Sequence, residues 1–280
     1  SDLIGLGHLP YNGFMQVVTG VALAGGAYVI TFIVYVMKVE NYHTLVRVTV
    51  LNGFLAYVFY AGALVLDLGK PWNIINPIIG NSFGYNSVLF LVSWHFLLYM
   101  VCEFLEFSPV VAQWLNWPRA RRILEGLTTG AVIFGITLST LHQSGLGALF
   151  LLAPSKIHPL WYSGNIPVMF FVSSIFAGLS MVMIESFFTQ KAFKDRIGHE
   201  LHAAHDSILL GLGKGAVGAL FAYIFLKLVD FVHYKQWVHL GTTMGYWYLF
   251  EIVGFVLLPT ALFLQAVRTN NAKLVQFTTF

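Results

Sequence analysis

Long apolar runs separated by short polar linkers dominate the pattern of hydrophobic and polar positions along the chain. A helix that crosses the hydrocarbon core of a bilayer needs about 20 predominantly apolar residues. Seven segments meet this requirement: residues 14–37, 48–66, 87–105, 124–144, 166–188, 207–231 and 243–267. We expect an eighth to begin near Lys273. The pattern therefore predicts an all-α, polytopic bundle of transmembrane helices.

The linkers between these segments carry turn chemistry and little else. Pro71, Pro118 and Pro154 each stand in a linker, where proline discourages the continuation of a helix. Since no linker could hold a soluble domain, we expect residues 1–280 to form a single transmembrane domain. The last apolar stretch runs to the final residue, so we also expect the natural chain to continue beyond Phe280.

Composition agrees with this interpretation and excludes several classes of protein. The chain is 58% hydrophobic and only 10% charged, whereas a soluble domain is about 25% charged. The net charge of +3 comes from dispersed Lys and Arg residues, a distribution that does not suit nucleic-acid binding. With Cys102 as its single cysteine, the chain cannot form an intrachain disulfide or hold a cysteine-ligated iron-sulfur cluster. Such redox centres would belong to partner subunits.

The distribution of basic residues predicts the orientation of the chain. Cytoplasmic loops of membrane proteins are enriched in Lys and Arg. The loops after the odd-numbered segments hold 10 of the 15 basic residues: Lys38, Arg47, Arg119, Arg121, Arg122, Lys191, Lys194, Arg196, Arg268 and Lys273. We therefore expect a multi-pass protein of the inner (cytoplasmic) membrane whose N-terminus lies outside.

Ionisable side chains within the apolar segments are the first candidates for function, because an unpaired charge in hydrocarbon costs several kcal/mol. His95 and Glu251 lie about 12 Å from the outer ends of their helices, counted at 1.5 Å per residue. We predict a proton pathway formed by His95, Glu103, Glu185, Lys214 and Glu251. The alternative for each is a structural contact, or, for Lys214, a side chain that extends to the membrane surface.

A second group of polar residues falls near the predicted outer ends of the helices. It consists of His8, Asp67, His142 and Gln143. These side chains suit a quinone, whose carbonyls accept hydrogen bonds and whose reduction takes up two protons. We predict that these four residues bind a quinone there.

Two other functions remain open at this point. A b-type cytochrome would need one or two axial haem ligands inside the bundle, and only His95 is clearly deep in a predicted helix. A passive anchor or a transporter would also tolerate buried charges, but neither broken helices nor paired repeats are evident in the sequence.

Three motifs carry a resemblance to a known family. They are Asp67-Leu68-Gly69-Lys70-Pro71, Leu141-His142-Gln143-Ser144-Gly145-Leu146-Gly147 and Ile157-His158-Pro159-Leu160-Trp161. With the segments between them, they resemble the NrfD-type, or polysulfide-reductase-type, membrane subunits. Glu185 and the run from Gly211 to Gly215 are similar to the HybB-like and DsrP-like branches.

The resemblance implies the membrane subunit of a respiratory oxidoreductase complex that is not catalytic on its own. It implies a helical bundle that binds menaquinone or ubiquinone near the outer face and docks an iron-sulfur electron-transfer subunit there. By this likeness Asp67 and His142 belong to the quinone side, and Glu103 and Glu185 belong to a route for proton translocation. Haem b is the less favoured cofactor. Lys70 stands where many relatives have arginine, which has a different hydrogen-bonding geometry.

Overall fold

The computed structural model describes residues 25–67, 70–79, 86–192 and 199–280, and the regular secondary structure in these ranges is helical. The helices are α1 Gly26–Thr31, α2 His43–Asp67, α3 Val88–Trp114, α4 Pro118–Phe150, α5 Ile166–Ala192, α6 His199–His233, α7 Thr243–Glu251, α8 Leu258–Arg268 and α9 Ala272–Thr279. A 3₁₀ turn, Pro71–Ile75, and one helical turn, Asn76–Ile79, lie between α2 and α3.

Six helical segments in the described ranges are long and apolar enough to cross a membrane. They are Leu45–Leu66, Val88–Trp114, Pro118–Phe150, Ile166–Ala192, His205–His233 and Thr243–Arg268. Each overlaps one predicted segment, so the predicted polytopic all-α architecture is confirmed. The first predicted segment, 14–37, lies only partly in the described residues, where it contains the shorter apolar helix Gly26–Val36.

Local sequence signals explain where several helices begin. The side chains of Ser87, Thr242 and Asn271 accept hydrogen bonds from the backbone N–H groups of the first turns of α3, α7 and α9. Pro118 opens α4 at a position where its missing N–H costs nothing. The preceding Asn116 has a φ of 55°, a left-handed conformation that asparagine tolerates well.

Several helices are longer than their apolar segments, as α3 and α4 show. α3 runs past Pro109 to Trp114, and α4 extends to Phe150 instead of ending near residue 144. The reason is that hydrophobicity marks only the part of a helix that lies in hydrocarbon, while the backbone hydrogen bonds continue through polar turns. This extension matters for the site, because it places His142 well inside α4.

The chain divides into two compact units, Ser1–Leu146 and Gly147–Phe280. In unit 1, α1 packs on α2 and α2 packs on α3, while side chains of α4 contact α2 and α3 through aromatic rings. Buried apolar residues such as Ile30, Val50 and Val132 fill the space between these helices. Unit 1 is therefore a helix bundle whose interior is accessible to polar side chains from α2, α3 and α4.

In unit 2, α5 and α8 pack on α6, and α9 contacts α5, α6 and α8. The span Thr243–Arg268 is not a uniform helix, because a π-helical stretch, Ile252–Leu257, separates α7 from α8. Pro259 is the second residue after this stretch; it lacks an N–H, and its ring crowds the preceding turn. A wider turn accommodates the proline, and such π-bulges occur often at functional sites.

Candidate functional site

A polar cluster lies inside unit 1 around Tyr57 of α2, whose side chain is fully buried. The Tyr57 ring lies 5.0 Å from the Tyr99 ring, 5.4 Å from the Phe96 ring and 6.0 Å from the His142 ring, measured between centroids. Tyr99 and Phe96 belong to α3, and His142 belongs to α4. Three helices therefore bring aromatic and ionisable groups to one place.

His142 is held in a defined orientation by a backbone carbonyl. Its side chain is 3% exposed, and it lies eight residues before the end of α4, or about 12 Å along the helix. Its Nδ1 atom is 3.2 Å from the carbonyl oxygen of Val92. Because a carbonyl only accepts hydrogen bonds, Nδ1 carries the proton and donates it. In the neutral ring, Nε2 is then left as an acceptor.

Two further predicted residues lie beside His142. Gln143 is 1% exposed, and its side chain and that of Ser139 interact electrostatically with the Tyr57 hydroxyl. His95 interacts electrostatically with His142, and its Nδ1 atom is buried without a hydrogen bond to any of the described residues. The structure thus brings His95, His142 and Gln143 together, although the sequence assigned them to two separate groups.

Glu103 lies on the other side of the tyrosines. It is 1% exposed, and neither carboxyl oxygen has a hydrogen-bond partner among the described residues. The Tyr99 side chain, one turn earlier on α3, interacts with it electrostatically. An unpaired charge at such a place would be costly, so proton binding and release is the chemistry that this carboxyl can provide.

A narrow cavity within unit 1 has Glu103 in its wall. Its lining residues are Ala27, Tyr28, Thr31, Val50, Tyr99, Glu103, Glu106, Gly135 and Ile136. Glu106 lies one turn beyond Glu103, and a Cβ atom on Gly135 would come within 3.1 Å of its Oε1 atom. Ionisable and hydroxyl groups therefore continue from this cavity through Glu103, Tyr99 and Tyr57 toward His142.

Sequence reasoning missed Tyr57, Tyr99 and Ser139, which connect the two predicted groups. A tyrosine in an apolar helix is usually a packing residue, so depth alone did not distinguish these. Helical spacing is the signal that could have indicated them: residues three or four apart share one face. Tyr99 precedes Glu103 by four residues, and Ser139 precedes His142 by three.

The remaining predicted residues lie elsewhere or outside the described residues. Glu185 is half-buried on α5 and Lys214 is exposed on α6, both in unit 2. His8 lies outside the described residues. Asp67 ends α2, and its side chain is also outside them.

Glu251 belongs to a second polar cluster, in unit 2. Its Oε2 atom accepts a hydrogen bond of 2.7 Å from the indole Nε1 of Trp161. Nearby, Asp230 accepts one of 2.7 Å from the amide of Asn165, and Lys227 interacts electrostatically with both carboxylates. Trp161 and Asn165 lie in the loop before α5. Both carboxylates therefore anchor that loop, which gives Glu251 a structural contact.

We expect Trp161→Phe and Glu251→Leu each to lower the free energy of unfolding by about 1.5–3 kcal/mol, the usual contribution of a hydrogen bond to a charged group. The double variant should lose less than the sum of the two, because both changes remove the same hydrogen bond. Circular dichroism during thermal unfolding of the purified complex measures this. Trp237→Phe, at an exposed position of unit 2, is the matched control. Strictly additive losses would show that the contact contributes nothing.

Comparison with known proteins shows which family the chain belongs to. The family model described as "Polysulphide reductase, NrfD" matches residues 11–279. A protein of Nitratidesulfovibrio vulgaris is 40% identical over 258 residues, which cover 92% of this chain and 66% of the relative. No solved structure matches the chain significantly.

Two more relatives have descriptive names. The "Probable Ni/Fe-hydrogenase 2 b-type cytochrome subunit" of Escherichia coli is 30% identical over 176 residues, 62% of this chain and 45% of that protein. The "Hdr-like menaquinol oxidoreductase integral membrane subunit" of Archaeoglobus fulgidus is 24% identical over 192 residues, 69% of this chain and 45% of that protein. The chain thus spans less than two thirds of the length of each of these three relatives. Because the family model covers nearly all of the sequence, the chain belongs to the polysulphide reductase NrfD family.

Proposed function

We propose that this chain is the quinone-reactive membrane subunit of a multi-subunit respiratory oxidoreductase, which exchanges electrons between the menaquinone or ubiquinone pool and an iron-sulfur partner subunit. The observation that carries the proposal is the buried His142, whose Nδ1 is bound by the Val92 carbonyl beside Gln143. The names of the Escherichia coli and Archaeoglobus fulgidus relatives, a hydrogenase subunit and a menaquinol oxidoreductase subunit, support it.

The chemistry of the cluster suits a quinol. Oxidation of a quinol to a quinone releases two electrons and two protons. His142 Nε2 is an acceptor for a quinol hydroxyl proton, and the Gln143 amide can donate to or accept from the quinone oxygens. The electrons pass to the iron-sulfur partner, since Cys102 alone cannot ligate a cluster. Asp67 and His8 remain predicted ligands of the same quinone.

We infer that protons travel between this quinone and the cavity in unit 1 through Tyr57, Tyr99 and Glu103. The Lys and Arg distribution predicts that the N-terminus lies outside the cytoplasmic membrane, and with that orientation Glu103 lies toward the inner side. The route thus allows protons to be translocated during turnover. Glu185, Lys214 and Glu251 remain predicted members of the proton pathway. The hydrogen bond from Trp161 gives Glu251 a structural role as well.

Haem b is the alternative that the name of the Escherichia coli relative supports. His95 and His142 would be its ligands, and the bond from Nδ1 of His142 to the Val92 carbonyl leaves Nε2 free to ligate a metal as well as to accept a quinol proton. Two bulky rings stand beside the histidine: the Phe96 and Tyr57 rings lie 5.6 Å and 6.0 Å from the His142 ring. We favour the quinone because the name of the Archaeoglobus fulgidus relative refers to menaquinol.

Photo-crosslinking of the purified complex with a photoreactive quinone tests the proposal. We expect labelling of peptides that contain residues 139–146, competed by unlabelled menaquinone, and no haem band in the reduced optical spectrum. Labelling confined to other subunits would overturn the quinone site. A haem band that disappears on replacing His95 would overturn the preference over a cytochrome.

A further inference from the structure

Val92 contacts α4 in two ways, and both involve the candidate quinone site. Its carbonyl oxygen lies 3.2 Å from Nδ1 of His142. Its side chain faces Gly145, where an added Cβ atom would come within 2.7 Å of the Val92 Cγ2 atom. Gly145 follows His142 by three residues, so both face the same part of α3.

The absence of a side chain at residue 145 therefore sets the distance between α3 and α4 at this point. Carbon atoms in contact are about 3.5–4.0 Å apart. A Cβ atom on residue 145 would therefore push α3 and α4 apart locally by roughly 1 Å. Val92 cannot relieve the clash by rotating, since a β-branched residue in a helix has one strongly preferred rotamer. Val92 is also buried, so its side chain cannot turn out to the surface.

A displacement of that size would break the hydrogen bond to His142. The Nδ1–O distance is already at the long end of the normal range of 2.7–3.2 Å for N–H···O bonds. Without the carbonyl, the proton on the ring is free to occupy either nitrogen. The position of the histidine proton thus depends on a glycine one turn away.

We propose that Gly145 is a positioning residue for the quinone reaction: it lets the Val92 carbonyl hold the proton on Nδ1 of His142 and so presents Nε2 as the acceptor. The proposal rests on the proposed function, because it concerns the nitrogen that meets the quinol. It extends that function by assigning the tautomer and the residue that maintains it.

The first test is a compensation experiment on quinol oxidation by the intact complex in membranes. Gly145→Ala should lower kcat at least tenfold, and Gly145→Ala combined with Val92→Ala should restore it to within about threefold of the original, because the second change removes the clashing Cγ2 methyl group and keeps the carbonyl. Gly130→Ala is the control on the same helix, since its Cβ would meet no described atom within 4 Å. No rescue in an assembled double variant would overturn the proposal, and so would full activity of Gly145→Ala in a complex that His142→Asn inactivates.

The second test observes the tautomer directly and does not depend on quinone turnover. Nitrogen-15 NMR of histidine-labelled complex, with His142 assigned by difference from His142→Asn, should show a proton on Nδ1. Gly145→Ala should give mixed tautomers, and the double variant should restore the original spectrum. An unchanged spectrum in Gly145→Ala would refute the positioning role. A changed spectrum with unchanged activity in Gly145→Ala and His142→Asn would refute the proposed function alone.

Discussion

Replacing His142 by alanine is expected to lower quinol-dependent electron transfer by the complex at least about 100-fold, the usual contribution of a positioned acid–base group. The buried ring has one nitrogen bound to Val92, and in the proposed function the other nitrogen accepts the quinol proton. Removal of the ring deletes the acceptor for the quinol proton and leaves the Val92 carbonyl with its helical bond alone.

Steady-state oxidation of a menaquinol analogue measures this effect, with the amount of assembled complex determined on the same membranes. His43→Ala is the matched control, because His43 is an exposed histidine at the start of α2 in the same unit. We expect it to retain normal activity. A His142→Ala complex that assembles and turns over normally would exclude His142 from the reaction.

Replacing Glu103 by glutamine is expected to lower proton-coupled turnover by about 10- to 100-fold, within the range for loss of a proton-transfer group. Glutamine has nearly the same shape, so packing in the fully enclosed site is kept. It cannot bind and release a proton, so the proposed transfer through Tyr99 and Tyr57 would be interrupted. The proposed quinone site is left unchanged, and KM for quinol should change little.

The matched control is Glu125→Gln. Glu125 is an exposed carboxylate on α4 whose Oε1 lies 2.6 Å from Nε of Arg121, and such surface pairs contribute little. Proton release is followed with a pH indicator in vesicles during a single pulse of quinol oxidation. If Glu103→Gln and Glu125→Gln release protons at the same rate, Glu103 is not on the proton route.

The spans follow directly from the sequence because the bilayer offers an apolar segment few alternatives. Backbone N–H and C=O groups have no water to bond in hydrocarbon, so a run of about 20 apolar residues there forms a helix. This is why six predicted segments reappear as helices. The helix ends were less predictable, since α4 continues to Phe150 on backbone hydrogen bonds that hydrophobicity does not report.

Depth in a helix indicated His95, and the family resemblance indicated Glu103, but neither could indicate their neighbours. Tyr57 meets Tyr99 and His142 across gaps of 42 and 85 residues, and such contacts depend on how each helix is rotated about its axis. The same limit explains why Lys214, deep by residue count, is exposed on α6, and why Glu251 has an indole donor from a loop.

The sequence by itself determined that this protein is a bundle of membrane-spanning helices, which polar residues lie within those helices, and, through its motifs, the family. Only the tertiary structure decided which of these polar residues form a site. The length of an apolar run is a property of one segment, and it alone determines whether that segment can span the bilayer as a helix. The Val92 carbonyl orients His142, and the small residue Gly145 permits this contact. Both contacts depend on two packed helices, so they exist only once the separation and rotation of these helices are set.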